Sequence, residues 1–123
     1  MYLVGAAHPH KTDALRLLER CIAERARLVT DAEVFQEILH RYIAVDRRGA
    51  IKPTFDVLIS VVEEVYPIEL ADVERARVLL TSKRRLSARD ALHVALMERT
   101  GINSILTFDS GFDGIPGIRR ILL

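Results

Sequence analysis

Hydrophobic positions along the chain fall into helical stripes separated by short apolar runs, and this alternation predicts the elements. From Lys11 to Ala26, rows of Leu15, Leu18 and Ile22 and of Ala14, Leu17 and Cys21 recur at helical spacing, with Pro9 placed to help initiate a helix. Leu28-Val29 reads as a short buried strand running directly into a second helix. Thr30-Asp31-Ala32-Glu33 has the Thr-x-x-Glu form of a capping box, which makes Thr30 the expected cap. That helix is expected to bury Val34, Phe35, Ile38, Leu39 and Tyr42 and to run out near Arg47-Arg48-Gly49. Pro53 opens another helical pattern, with Phe55, Leu58, Ile59 and Val62 on one face.

Val65-Tyr66-Pro67-Ile68 marks a second short strand or its end, and Asp72 to Leu80 repeats the helix signal. Ser87-Ala88-Arg89-Asp90 is another capping pattern. It precedes Ala91, Leu92, Val94, Ala95, Leu96 and Met97, which put apolar side chains on nearly every side and predict a central helix. Gly101 stops that helix, Ser104 to Phe108 reads as a strand, and Ile118 to Leu123 gives a last strand after a Gly/Pro-rich turn. Short apolar strands alternating with helices predict an α/β protein, a parallel sheet flanked by helices. Ligands of such sheets gather at the carboxyl ends of the strands.

Composition narrows this picture without redirecting it. The 123 residues fit one domain spanning 1–123, and a hydrophobic content of 50% supplies a core without staples. Cys21 is the only cysteine, and no apolar run approaches the roughly 18 residues of a membrane span, so a reducing cytoplasm with no membrane association is expected. The opening Met1-Tyr2-Leu3-Val4-Gly5 lacks a basic leader and does not read as a secretion signal. A net charge of +1, from 18 basic against 17 acidic side chains, gives no bulk attraction to nucleic acid. Local clusters carry that argument: Lys83, Arg84 and Arg85 with Arg89, and the smaller Arg47-Arg48 and Arg119-Arg120, read as solvated surface or as phosphate contacts.

Three acidic residues stand where such a sheet offers a site. Glu37 lies about two turns into the helix after Leu28-Val29, at the edge of its buried stripe. Asp90 opens the central helix in line with Val94 and Met97, and Asp109 directly follows the strand that ends at Phe108. Singly, each reads as a surface charge, a cap or a turn former. Together, carboxylates from three segments suit a hard cation, Mg²⁺ or Mn²⁺, that activates water and neutralises charge on a phosphodiester.

The run from Thr30 to Glu37, then Ser87-Ala88-Arg89-Asp90-Ala91-Leu92-His93, then Leu106-Thr107-Phe108-Asp109-Ser110-Gly111-Phe112-Asp113, resembles a PIN domain, most closely the VapC-type toxins of prokaryotic toxin–antitoxin pairs. The resemblance covers essentially the whole chain. It implies a parallel-sheet nuclease fold, Mg or Mn as cofactor, and endonucleolytic cleavage of RNA, with Glu37, Asp90 and Asp109 as catalytic and metal-binding residues and Asp113 as an outer ligand or turn residue. It also implies RNA binding through Lys83, Arg84, Arg85 and Arg89, a small antitoxin partner, and a homodimer formed through the early helices. A catalytically inactive PIN-like module that binds RNA or protein is the alternative.

The departure is at the front. PIN domains begin with a hydrophobic strand ending in a ligand Asp, whereas no residue before Asp13 is acidic here. The expectation is therefore a chain that starts at an internal Met and lacks the first, central strand, leaving flanking strand edges exposed. Of the remaining features, His8-Pro9-His10 has no matching ligand constellation. His93 is expected on the helix surface, with the orienting of a carboxylate or phosphate as its functional alternative. His40 and Tyr42 signal only packing, and no Gly-rich phosphate loop, paired cysteines or Ser nucleophile elbow is present.

Overall fold

A computed structural model describes residues 1–4, 19, 23, 27–82, 86–107 and 112–121. Apart from Glu19 and Ala23, the helix expected over Lys11–Ala26 lies outside the described residues, as do His8-Pro9-His10, Lys83, Arg84, Arg85 and Asp109. The described elements run β1 (Tyr2–Leu3), β2 (Val29–Asp31), α1 (Ala32–Ala44), a 3-10 turn (Arg48–Ala50), α2 (Ile51–Val61), β3 (Glu64–Tyr66), α3 (Leu70–Ser82), α4 (Ala88–Thr100), β4 (Ser104–Leu106) and β5 (Arg119–Ile121). The strands form one five-stranded sheet in the order β3-β2-β1-β4-β5, with every pairing parallel. This is the α/β architecture that the alternation of runs and stripes predicts.

One expectation about the sheet is corrected. Its centre does not stand empty, because Tyr2 pairs with Val29 on one side and with Ile105 on the other. Tyr2, Leu3 and Val4 are 0%, 4% and 3% exposed, so the central slot buries an apolar segment on both faces while its neighbours satisfy its backbone groups. Val29 N–H donates to the Met1 carbonyl at 3.0 Å, and Val4 N–H donates to that of Leu106 at 3.2 Å. What β1 lacks is an acidic residue. Among the described strands the edges, β3 and β5, are the exposed ones, and they carry Glu64, Arg119 and Arg120.

Local chemistry moves several boundaries. Asp31, not Thr30, caps α1: its Oδ1 accepts from Val34 N–H at 3.1 Å, whereas the Thr30 hydroxyl donates across the sheet to the Leu3 carbonyl at 2.7 Å. The helix stops at Ala44, short of Arg47, where Asp46 takes a left-handed turn at φ 54° that a short polar side chain tolerates. α2 begins two residues before Pro53, so the proline sits in the first turn, where no N–H is needed. Leu39 and Ile59 face outward at 39% and 57% exposure, because the buried stripes narrow to Val34 and Ile38 on α1 and to Leu58 on α2. Phe35 and Phe55 join these helices edge to face, with ring centroids 4.9 Å apart.

α4 is the central helix. It is capped by the Ser87 hydroxyl, which accepts from Asp90 N–H at 3.1 Å, and it ends on Gly101 at φ 73°. Ala91 and His93 through Met97 are buried. Its last turn is fixed to the first turn of α3: Arg99 grips buried Asp72 through Nε at 2.8 Å and Nη2 at 3.2 Å. Asp72 also accepts from Glu69 N–H at 2.9 Å, and Arg75 pairs with Glu98 at 2.7 Å. No helix among the described residues is long and apolar enough to cross a membrane.

Candidate functional site

The parallel sheet puts Asp31 at the carboxyl end of β2, and α1 leaves directly from it. From that point the helix carries Glu33 and Glu37 on one face, four residues apart. α4 contributes Asp90 in its first turn and His93 one turn later on the same side. His93 joins the two helices. Its Nδ1 lies 2.7 Å from Asp31 Oδ2 and its Nε2 lies 3.0 Å from Glu37 Oε1. The Tyr2 hydroxyl also donates to Asp31 Oδ2, so β1, β2, α1 and α4 meet in one chain of hydrogen bonds. Tyr2, Asp31 and His93 are fully buried, while the Glu37 side chain retains 20% exposure.

Carboxylates on both nitrogens leave the imidazole ring no acceptor role, so both ring nitrogens donate and the ring is an imidazolium. Burial is the largest influence on it and disfavours that charge. The hydrogen bonds that His93 donates to Asp31 and Glu37 and the charges of both together outweigh burial and raise His93 to about 9. Tyr2 is held far above the ordinary phenol range, first by burial and then by the Asp31 charge, and therefore stays a donor. Glu33 is pushed above the usual carboxylate range by partial burial and by the charge of Glu37, with His93 and Arg89 pulling the other way. Negative charge is thus concentrated here, and Arg89, exposed in the first turn of α4, acts on it.

The residues expected from sequence divide clearly. Glu37 and Asp90 are brought to the same side of α4, Glu37 by contact with His93 and Asp90 by its place one turn before it. Asp109, Lys83, Arg84 and Arg85 lie outside the described residues. Asp113 is exposed and gripped by Arg120 at 2.8 and 3.0 Å, and that guanidinium lowers its carboxyl below the usual range. His93, expected on the helix surface, is instead buried between Asp31 and Glu37. Asp31, Glu33 and Tyr2 were not singled out from the sequence. Asp31 had a usable signal, being the polar residue at the end of a strand, but Thr30 absorbed it as the expected cap.

Glu37 and Asp90 offer carboxylate oxygens only, the donor type that a hard divalent cation requires, and the repulsion felt by Glu33 is of the kind a cation relieves. In chemistry these residues fit Mg²⁺ or Mn²⁺. Among the described residues no three acidic, His or Cys side chains stand close enough to hold an ion by themselves.

The family described as PIN domain matches residues 1–118. Two curated proteins, VapC ribonuclease Mb1869c of Mycobacterium bovis and Ribonuclease VapC13 of Mycobacterium tuberculosis, are each 60% identical over 121 residues, covering 98% of this chain and 92% of theirs. A crystal structure of VapBC2 from Rickettsia felis, bound to a DNA fragment from their promoter, superposes with a TM-score of 0.74 at 15% identity, covering 98% of this chain and 96% of that one. By family match and by relatives, the chain belongs to the PIN-domain family and is VapC-like.

Proposed function

We propose that the chain is a divalent-metal-dependent endoribonuclease, the toxin of a type II toxin–antitoxin pair. The observation that carries the reading is Glu37 held by buried His93, with Asp90 one turn before that histidine on the same helix, in a chain 60% identical to proteins named VapC ribonuclease. In this reading Glu37, Asp90 and Asp109 hold Mg²⁺ or Mn²⁺, which when bound supplies an activated water and neutralises charge developing on the phosphodiester. The chain's own part is to place its carboxylates on rigid elements and to draw in the RNA backbone. Arg89, Lys83, Arg84 and Arg85 serve the second task. Asp113, paired with Arg120, is assigned a structural role in its turn.

A small antitoxin and a second copy of the chain complete the proposal, as the family resemblance implies. Leu39 and Ile43 on α1, with Val57 and Ile59 on α2, are exposed and give either partner apolar surface to cover.

RNA cleavage in the presence of Mn²⁺ by the wild-type chain and by Asp90→Asn tests the function. The expected result is a loss of at least about 100-fold in the variant, as for removal of a group that stabilises transition-state charge. Equal activity in the two would sink the mechanism. RNA binding without cleavage by the wild-type chain would favour the inactive binding module instead.

A further inference from the structure

We infer that His93 is a positioning residue for Glu37, locked in place by Asp31, and that it presents the Glu37 carboxylate to the divalent cation. The inference rests on the cation reading above and deepens it. Glu37 stands about two turns into α1 on a side chain with several rotatable bonds, and nothing in its own helix fixes its carboxylate. The fixing comes from α4, where Nε2 of His93 holds Oε1 at 3.0 Å. That contact is only as rigid as the ring that makes it. The ring is pinned at its other nitrogen by Asp31, 2.7 Å away. Asp31 is pinned in turn by the Tyr2 hydroxyl and by Val34 N–H at the start of α1.

The chain of bonds therefore starts in the backbone of α1, passes through Asp31 at the end of β2, where Tyr2 of the central strand joins it, and through His93 of α4, and returns to α1 at Glu37. Buried groups, Val34 at 2% exposure and Tyr2, Asp31 and His93 at 0%, make up all of it except its last member. A carboxylate that binds a cation is ordinarily hydrogen-bonded by such a neighbour, and removing the neighbour weakens binding about 10–100-fold. The opposite ends of the ring make different contacts, so the two halves of its role can be separated. An Asn side chain places its amide where Nδ1 stands and a Gln side chain places its amide where Nε2 stands. His93→Asn keeps the contact with Asp31 and loses that with Glu37, and His93→Gln does the reverse.

The test is Mn²⁺ binding by calorimetry alongside thermal unfolding, on the wild-type chain, His93→Gln, His93→Asn, Glu37→Gln, and the double variant of His93→Asn with Glu37→Gln. The expected orders cross. His93→Gln keeps the Glu37 contact but loses its pin on Asp31, so it binds Mn²⁺ only a few-fold more weakly than wild type, and it unfolds at a lower temperature because it strands buried Asp31. His93→Asn is the more stable of the two yet binds Mn²⁺ about 10–100-fold more weakly. Because His93 acts through Glu37, the Asn substitution has no further effect on Mn²⁺ affinity once Glu37 is Gln.

Equal affinities for the Gln and Asn variants, or an undiminished effect of the Asn substitution in the Glu37→Gln background, overturn the inference while leaving the cation reading intact. Failure of the wild-type chain to bind Mn²⁺ overturns both. A measurement that needs no variant is the ¹⁵N resonance of the His93 ring on addition of diamagnetic Mg²⁺. Nε2 should shift and Nδ1 should not, and an unmoved Nε2 also overturns the inference.

Discussion

Two buried aspartates, Asp31 and Asp72, solve the same problem with different partners. Asp72, 2% exposed in α3, is gripped by both arms of the Arg99 guanidinium, and Arg99 also donates to the Pro67 carbonyl at 3.2 Å. Guanidinium stays charged and its fork matches a carboxylate, so this pair is a fixed clamp between the first turn of α3 and the last turn of α4. Asp31, 0% exposed at the end of β2, is held by a phenol, a backbone N–H and an imidazole whose far nitrogen reaches Glu37. The Arg99 clamp ends locally on Asp72 and the Pro67 carbonyl, whereas the His93 bridge passes its rigidity on to the partly exposed Glu37 carboxylate at the candidate site. Equal burial does not mean equal purpose, and the partner's second contact tells the two apart.

The largest expected effect comes from breaking the clamp. A buried Asp72 carboxylate left with only the Glu69 N–H costs about 3 kcal/mol, the lower end for a broken buried pair. Arg99→Met should therefore lower stability in urea unfolding by that order while leaving Mn²⁺ affinity unchanged. A matching loss of affinity would show that the two aspartates are not separate in function. Next is Tyr2→Phe, which removes one of three donors to Asp31. A hydrogen bond to a charged group contributes about 1.5–3 kcal/mol, so stability should fall by about 2 kcal/mol. Mn²⁺ affinity should weaken only a few-fold, because His93 still bridges. Abolished binding would mean that the phenol, rather than the ring, governs Glu37.

The smallest effect is expected at Asp113, whose exposed pair with Arg120 is open to solvent screening. Asp113→Asn should change neither the thermal midpoint nor the Mn²⁺ titration detectably. A weakened titration would restore it as an outer ligand.

The sequence alone carried the elements whose causes are local. The Ser87 cap, the Gly101 stop, the apolar wrap of α4 and the alternation of short strands with helices all follow from neighbours within a few residues, and so did the places of Glu37 and Asp90. It missed what depends on pairing across the fold. Thr30 looked like a cap because a hydroxyl precedes the helix, but β1 lies beside it and offers the Leu3 carbonyl, which leaves Asp31 to cap. His93 looked like a surface residue because a polar ring is costly to bury, and only the two carboxylates that flank it, 62 and 56 residues away in the chain, offset that cost. Leu39 and Ile59 looked like core because they are apolar, yet which side of a helix is covered is decided by what packs against it.

The sequence by itself therefore determined the α/β class and the helical places of Glu37 and Asp90. The tertiary structure decided that Tyr2–Leu3 fills the centre of the sheet and that a buried imidazolium joins Asp31 to Glu37. Hydrogen bonds between residues distant in the chain leave no periodicity to read. They exist only once the strands have set the distances.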